Sequence, residues 1–86
     1  MEGQIKIVIL QRGWIYIGKY FEDGDACRLE NAKNIRRWGT TEGLGELALK
    51  GKQSETKLDE AGIVRFHKMI TVAMLDCDND VWKELL

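Results

Sequence analysis

The chain reads as a mainly β (β-rich α+β) domain: a small barrel or strongly bent antiparallel sheet with one or two short helices. Three observations predict this. The run Ile5 to Leu10 is β-branched and almost uninterrupted, the pattern of a strand buried on both faces. Short strand-like segments recur along the chain, punctuated by glycine because proline is absent. Many short strands in so small a chain favour closure, since closure removes edges that would pair with other chains.

The elements follow in order. After Ile5 to Leu10, Gln11-Arg12-Gly13 is a turn and Trp14 to Glu22 a second strand. Gly18 interrupts that strand, which predicts a bulge or bend where the sheet curls. Asp23-Gly24-Asp25 is a hairpin turn, because Asp-Gly tolerates positive φ. Ala26 to Glu30 is the third strand, and Asn34 to Trp38 is extended again. Thr40 or Thr41 caps a short helix through Leu44, Leu47 and Ala48, and Gly51 ends it in the left-handed conformation. Ser54 to Asp59 is a loop or edge strand. Ile63 to His67 and Ile70 to Asp76 are two more strands, and Asp78 opens a last helix through Val81, Trp82 and Leu85.

Residues 1–86 make one domain with a thin core, which favours homo-oligomers. The net charge of −1 speaks against tracking a long nucleic acid, yet a small anion needs only two or three local cations. Cys27 and Cys77 are not a Cys-x-x-Cys pair and the chain has a single histidine, so no metal site and no cofactor are expected and both thiols are read as reduced. No signal segment or membrane span is visible, so the expected location is cytoplasmic, with no membrane partner.

The segment Ile35 to Gly43 carries the most chemistry. In a strand Arg36 and Trp38 share a face and Arg37 takes the other. A guanidinium beside an indole suits a ring stacked on Trp38 with its phosphate in the arginine fork. Gly39 permits close backbone approach, while Thr40, Thr41 and the helix start offer donors to an anion. The same residues also fit a plain strand end, with Trp38 in the core, Arg36 in an ion pair and Arg37 solvated. Arg12-Gly13-Trp14 is either a further wall of such a pocket, here or in a neighbouring subunit, or a hairpin tip over a core tryptophan. His67, with Arg65 and Lys68 nearby, is either an anion or ribose ligand or a half-exposed polar residue at a strand end. Asp76-Cys77-Asp78-Asn79-Asp80 resembles the start of a calcium loop, but Val81 stands where that loop needs glycine, so these acids are read as a helix cap. No nucleophile and base can be paired, so the protein is expected not to be an enzyme.

Arg12-Gly13, Gly18, Ala32, Trp38-Gly39-Thr40-Thr41, Gly43, Leu47-Ala48, Gly51, Ile70-Thr71-Val72-Ala73 and Trp82 together resemble a family of small, functionally uncharacterised proteins of tailed bacteriophages and prophages. Members of that family often have proline where this chain has Lys52. This resemblance implies a phage origin, and hence the host cytoplasm. A second resemblance is to the Sm and Hfq proteins, small SH3/Sm-like barrels that form rings. Ile7 to Asn31, with Gly18 at the bend and Leu29-Glu30-Asn31-Ala32 after it, is similar to their first motif. Arg65-Phe66-His67 followed by Ile70-Thr71-Val72 is similar to their second. About thirty residues, Ala32 to Ala61, stand where those families have a short loop.

The leading expectation is therefore a phage-encoded, non-enzymatic binder of a small anionic, phosphorylated or nucleotide-like ligand, sequestering a host defence signal. Its ligand-binding residues would be Arg36, Arg37, Trp38, Gly39, Thr40, Thr41, Arg12 and His67. The alternatives are a Sm-like RNA-binding ring and a protein-interaction module that inhibits a host enzyme.

Overall fold

A computed structural model describes residues 3–84. Five antiparallel strands form one sheet: β1 (Gln4–Leu10), β2 (Ile15–Asp23), β3 (Ala26–Arg37), β4 (Lys57–His67) and β5 (Thr71–Asp76). Helix α1 (Leu44–Lys50) lies between β3 and β4, and helix α2 (Asn79–Trp82) follows β5. The spatial order is β4-β3-β2-β1-β5, so β4 and β5 are the two edges. The mainly β reading with two short helices holds.

From Ile7 to Leu10 strand β1 is wholly apolar, and its side chains pack on both sides of the sheet. Ile5 and Ile7 join Ile17, Ile35, Leu44, Leu47, Ala48 and Trp82 in one buried cluster. Val8 and Leu10 join Tyr20, Cys27, Leu29, Ala32 and Phe66 in the other. The helices cover the first cluster; the curl of the sheet encloses the second.

The curl is set where Gly18 faces a bulge. Ile17 pairs with Lys33 and Lys19 with Glu30, so β3 carries one residue more than β2 across this step. Asn31 absorbs the extra residue at φ 52. A Cβ on Gly18 would sit 3.1 Å from the Glu30 carbonyl oxygen and 3.2 Å from the Ala32 Cα, so the bend requires glycine's small size. The bulge also changes which side each β3 residue faces: Leu29 packs in the second cluster and Ile35 in the first, although both positions are odd. The two extended pieces predicted at Ala26 to Glu30 and Asn34 to Trp38 are thus one strand bent at Asn31.

Strand β4 also joins two predicted pieces. Its first half, Lys57-Leu58-Asp59-Glu60, lacks an apolar stripe because charges from β3 meet it. Lys33, only 8% exposed, pairs with Glu60, and Arg36 Nε donates to Asp59 Oδ2 at 2.9 Å. The long segment between the two motif-like halves thus lengthens β3 and β4 at one end and carries α1, with its flanking loops, between them.

Both predicted helices are present, but α1 starts later than expected: its N-cap is Gly43, not Thr40 or Thr41. Gly51, at φ 88, donates its N–H to the Leu47 carbonyl at 2.9 Å and closes α1. Asp78 Oδ1 accepts from the Asp80 N–H at 3.0 Å and caps α2. Leu85, expected in that helix, lies outside the described residues. At the far end of the sheet, the 3-10 turn Lys68–Ile70 is tied to the β2–β3 hairpin. The Lys68 N–H donates to the Asp25 carbonyl at 2.8 Å, and its ammonium pairs with Glu22 at 2.9 Å. Cys27 is buried and Cys77 half-buried, and both are free thiols. Among the described residues no helix is long and apolar enough to cross a membrane.

Candidate nucleic-acid and ligand interface

The Arg36 to Thr41 segment lies where β3 leaves the sheet, beside the start of β4; Arg37 pairs with Lys57 across the two strands. Beyond the strand end a backbone clasp holds the segment. Thr56, buried, donates its hydroxyl to the Trp38 carbonyl at 2.6 Å and accepts from the Gln53 N–H at 3.0 Å. Gly39, at φ 65, packs so closely on this clasp that a Cβ there would fall 2.2 Å from the Glu55 carbonyl carbon. The glycine expected to admit a ligand instead admits the chain's own backbone.

The two threonines are likewise engaged internally. Thr40 Oγ1 donates to the Gly43 carbonyl at 2.9 Å and accepts from its N–H at 3.0 Å. Thr41 offers its N–H and its hydroxyl to Glu46 Oε1, each at 3.2 Å, and the Glu42 N–H adds a third contact at 3.0 Å. The anion at this helix start is the chain's own Glu46, a capping role that the sequence reading missed. The Glu three residues after Gly43, in the first turn, is the signal that marks it.

The cations and indoles are more open. Arg36 is held through Nε by Asp59, leaving the outer edge of its fork free, and Arg37 makes only a 3.9 Å contact with Glu55. Trp38 is 43% exposed, so it is not a core residue, and Trp14, 57% exposed, is not one either. The buried indole is Trp82. Tyr16 pairs with Asn34, and the Asn34 amide donates to the Ile15 carbonyl at 3.1 Å. Trp14 stands just before β2, at the end of the sheet where β3 runs on through Arg36 and Arg37. The turn between β1 and β2 that holds Arg12, at φ 70, lies at this same end of the sheet. One end of the sheet thus presents two exposed indoles and three arginines.

His67 lies elsewhere. It pairs with Ala26 at the opposite end of β3, and its Nδ1 accepts from the Met69 N–H at 3.0 Å. The structure does not bring it to the Arg36 segment.

The edges carry a feature that residue types alone did not reveal. Ile63 on β4 is 57% exposed, and on β5 Val72 is 66% and Met74 39% exposed. Apolar side chains on both unpaired edges suit strand addition from another chain.

The comparisons bear on the fold. The fold is similar to that of a solved structure described as a heptameric archaeal Sm protein with implications for the eukaryotic snRNP core. The match has a TM-score of 0.57 at 14% identity and covers 88% of each chain. The fold is Sm-like. No protein-family model matches the chain, and neither does any curated protein. At this identity the likeness speaks for architecture, and it agrees with the motif resemblance at Ile7 to Asn31 and Arg65 to Val72.

Proposed function

We propose that the protein assembles edge to edge into a Sm-like ring that binds single-stranded RNA without catalysing a reaction. The observation that carries this reading is the sheet order β4-β3-β2-β1-β5, with both terminal strands unpaired and studded with exposed apolar side chains, in a fold shared with a heptameric Sm protein. Pairing β4 of one copy with β5 of the next satisfies both edges, and only a closed ring leaves none open. The overall charge of −1 restricts RNA contact to local cation clusters, and the end bearing Arg12, Arg36, Arg37, Trp14 and Trp38 offers both guanidinium forks and stacking faces. The test is native mass spectrometry of the purified protein, with fluorescence anisotropy on a short oligouridylate across a salt series. A ring-sized mass and affinity that falls with salt support the reading. A monomer at every concentration with flat binding curves would overturn it.

The pair of exposed indoles favours a second reading. In it the same surface takes one small phosphorylated or nucleotide-like molecule, and a phage-encoded protein of this kind would sequester a host defence signal. Titration calorimetry against cyclic and ADP-ribose-type nucleotides separates the two: saturable binding of one such molecule with no affinity for oligouridylate selects this alternative.

A further inference from the structure

Strand β4 has 11 residues and β5 has 6, so β5 of a neighbouring subunit can cover little more than half of β4 when a ring closes. The second half of β4 suits that contact, because Ile63 stands exposed there and matches the exposed Val72 and Met74 of β5. The first half, Lys57-Leu58-Asp59-Glu60, is mostly charged and keeps an open edge. It is hydrogen-bonded on its inner side to β3, with Leu58 opposite Ile35 and Asp59 opposite Asn34. Its outer side faces no other strand of the sheet.

We propose that this open edge docks a second copy of the chain, β4 against β4 about a two-fold axis at Leu58, and so joins two rings. Side chains alternate along a strand, and residues directly opposite each other in an antiparallel pair share a face. A two-fold contact without a bulge therefore sets one residue opposite its own copy. Centred on Lys57 or on Asp59, it opposes like charges. Centred on Leu58, it sets Lys57 against Asp59 of the second copy, twice per contact. Leu58 already packs on the cluster that holds Ile5, Ile7 and Ile35, so its copy extends an apolar contact. Lys57 has no ion-pair partner among the described residues. Asp59 meets Arg36 through Oδ2 at 2.9 Å, which leaves Oδ1 for the incoming ammonium. Charges on an edge usually keep other strands away; this pattern admits one register. A single contact of this length is weak, but a ring repeats it once per subunit and the repetition supplies the strength. The inference thus rests on ring formation.

Native mass spectrometry of the full chain gives the subunit count, and side views in negative-stain electron microscopy give the number of layers. The wild type is expected as two layers at low salt. Lys57→Glu opposes acid to acid and should halve the mass to one layer. Asp59→Lys opposes cation to cation and should do the same. The double variant Lys57→Glu/Asp59→Lys restores opposite charges and should regain the doubled mass. Circular dichroism reports that each variant is folded. A wild type found only as one layer overturns the inference and leaves the ring reading standing. So does a Lys57→Glu protein that keeps two layers, or a folded double variant that stays at one. A wild type that is monomeric at every concentration overturns both readings.

Discussion

The Trp82 indole N–H donates to the Leu47 carbonyl at 2.8 Å with the ring wholly buried, joining the last helix to the inserted one across 35 residues of chain. The ring also fills the cluster formed by Ile5, Ile7, Ile17 and Ile35, so one side chain holds both helices to the sheet. Trp82→Ala should cost about 3–5 kcal/mol in a denaturant titration. Trp82→Phe should cost less. The Leu47 carbonyl keeps its bond from the Gly51 N–H at 2.9 Å, and the lost indole bond is worth about 1 kcal/mol beyond the packing change.

Gly39 and Gly24 form a matched pair. Both have positive φ, at 65 and 61, but a Cβ at Gly24 meets nothing within 4 Å while one at Gly39 strikes the Glu55 and Thr56 backbone. Gly24→Ala should cost only the left-handed penalty of about 1–2 kcal/mol. Gly39→Ala should cost clearly more, because the struck atoms are main chain and the Thr56–Trp38 clasp must open. Equal unfolding midpoints for the two variants would contradict the close approach.

Burial pushes the Cys77 thiol up from the ordinary 9.0 to about 12. The folded state therefore holds this proton at pH values where the unfolded chain has released it. Stability from this group is fully present below pH 9 and declines as pH rises from there toward 12. Iodoacetamide should modify Cys77 far more slowly than a free thiol at pH 8.5, and denaturant should abolish the difference. Alkylation at the free-thiol rate in native protein would show the site to be open.

Val72 stands 66% exposed on the β5 edge. A lysine there blunts strand addition without entering either core. Val72→Lys should reduce the native mass to that of the 9.9 kDa monomer while the circular dichroism spectrum is preserved. A persistent ring would place the contact elsewhere.

Trp14 and Trp38 lie at the same end of the sheet, and neither ring is enclosed, at 57% and 43% exposed. Alanine at either position should shift stability by no more than about 0.5 kcal/mol. Oligouridylate or nucleotide affinity should fall by about 1–3 kcal/mol per lost stack. A large stability loss with unchanged binding would make the indoles scaffold.

Much of the fold is legible along the chain. Ile5 to Leu10 declares a strand packed on both faces, Asp23-Gly24-Asp25 declares its hairpin, and Gly18 marks the bend. Gly51 and Asp78 mark a helix end and a helix start. These signals work because each is local: side-chain volume, positive φ, or a carboxylate beside free N–H groups. The first half of β4 left no such signal, because Glu60 and Asp59 are placed by Lys33 and Arg36 of another strand. The continuity of β3 was hidden as well, since Asn31 reverses the alternation midway.

The candidate site divides on the same line. Residue types alone identified Arg36, Trp38 and their neighbours as chemistry-bearing. Which indole is buried, which hydroxyls are already bonded, and that Arg65 faces Arg28 across two strands depend on register and on contacts between distant segments. Local preference writes strands and turns into short stretches of chain. Burial and charge pairing are settled only when segments tens of residues apart meet.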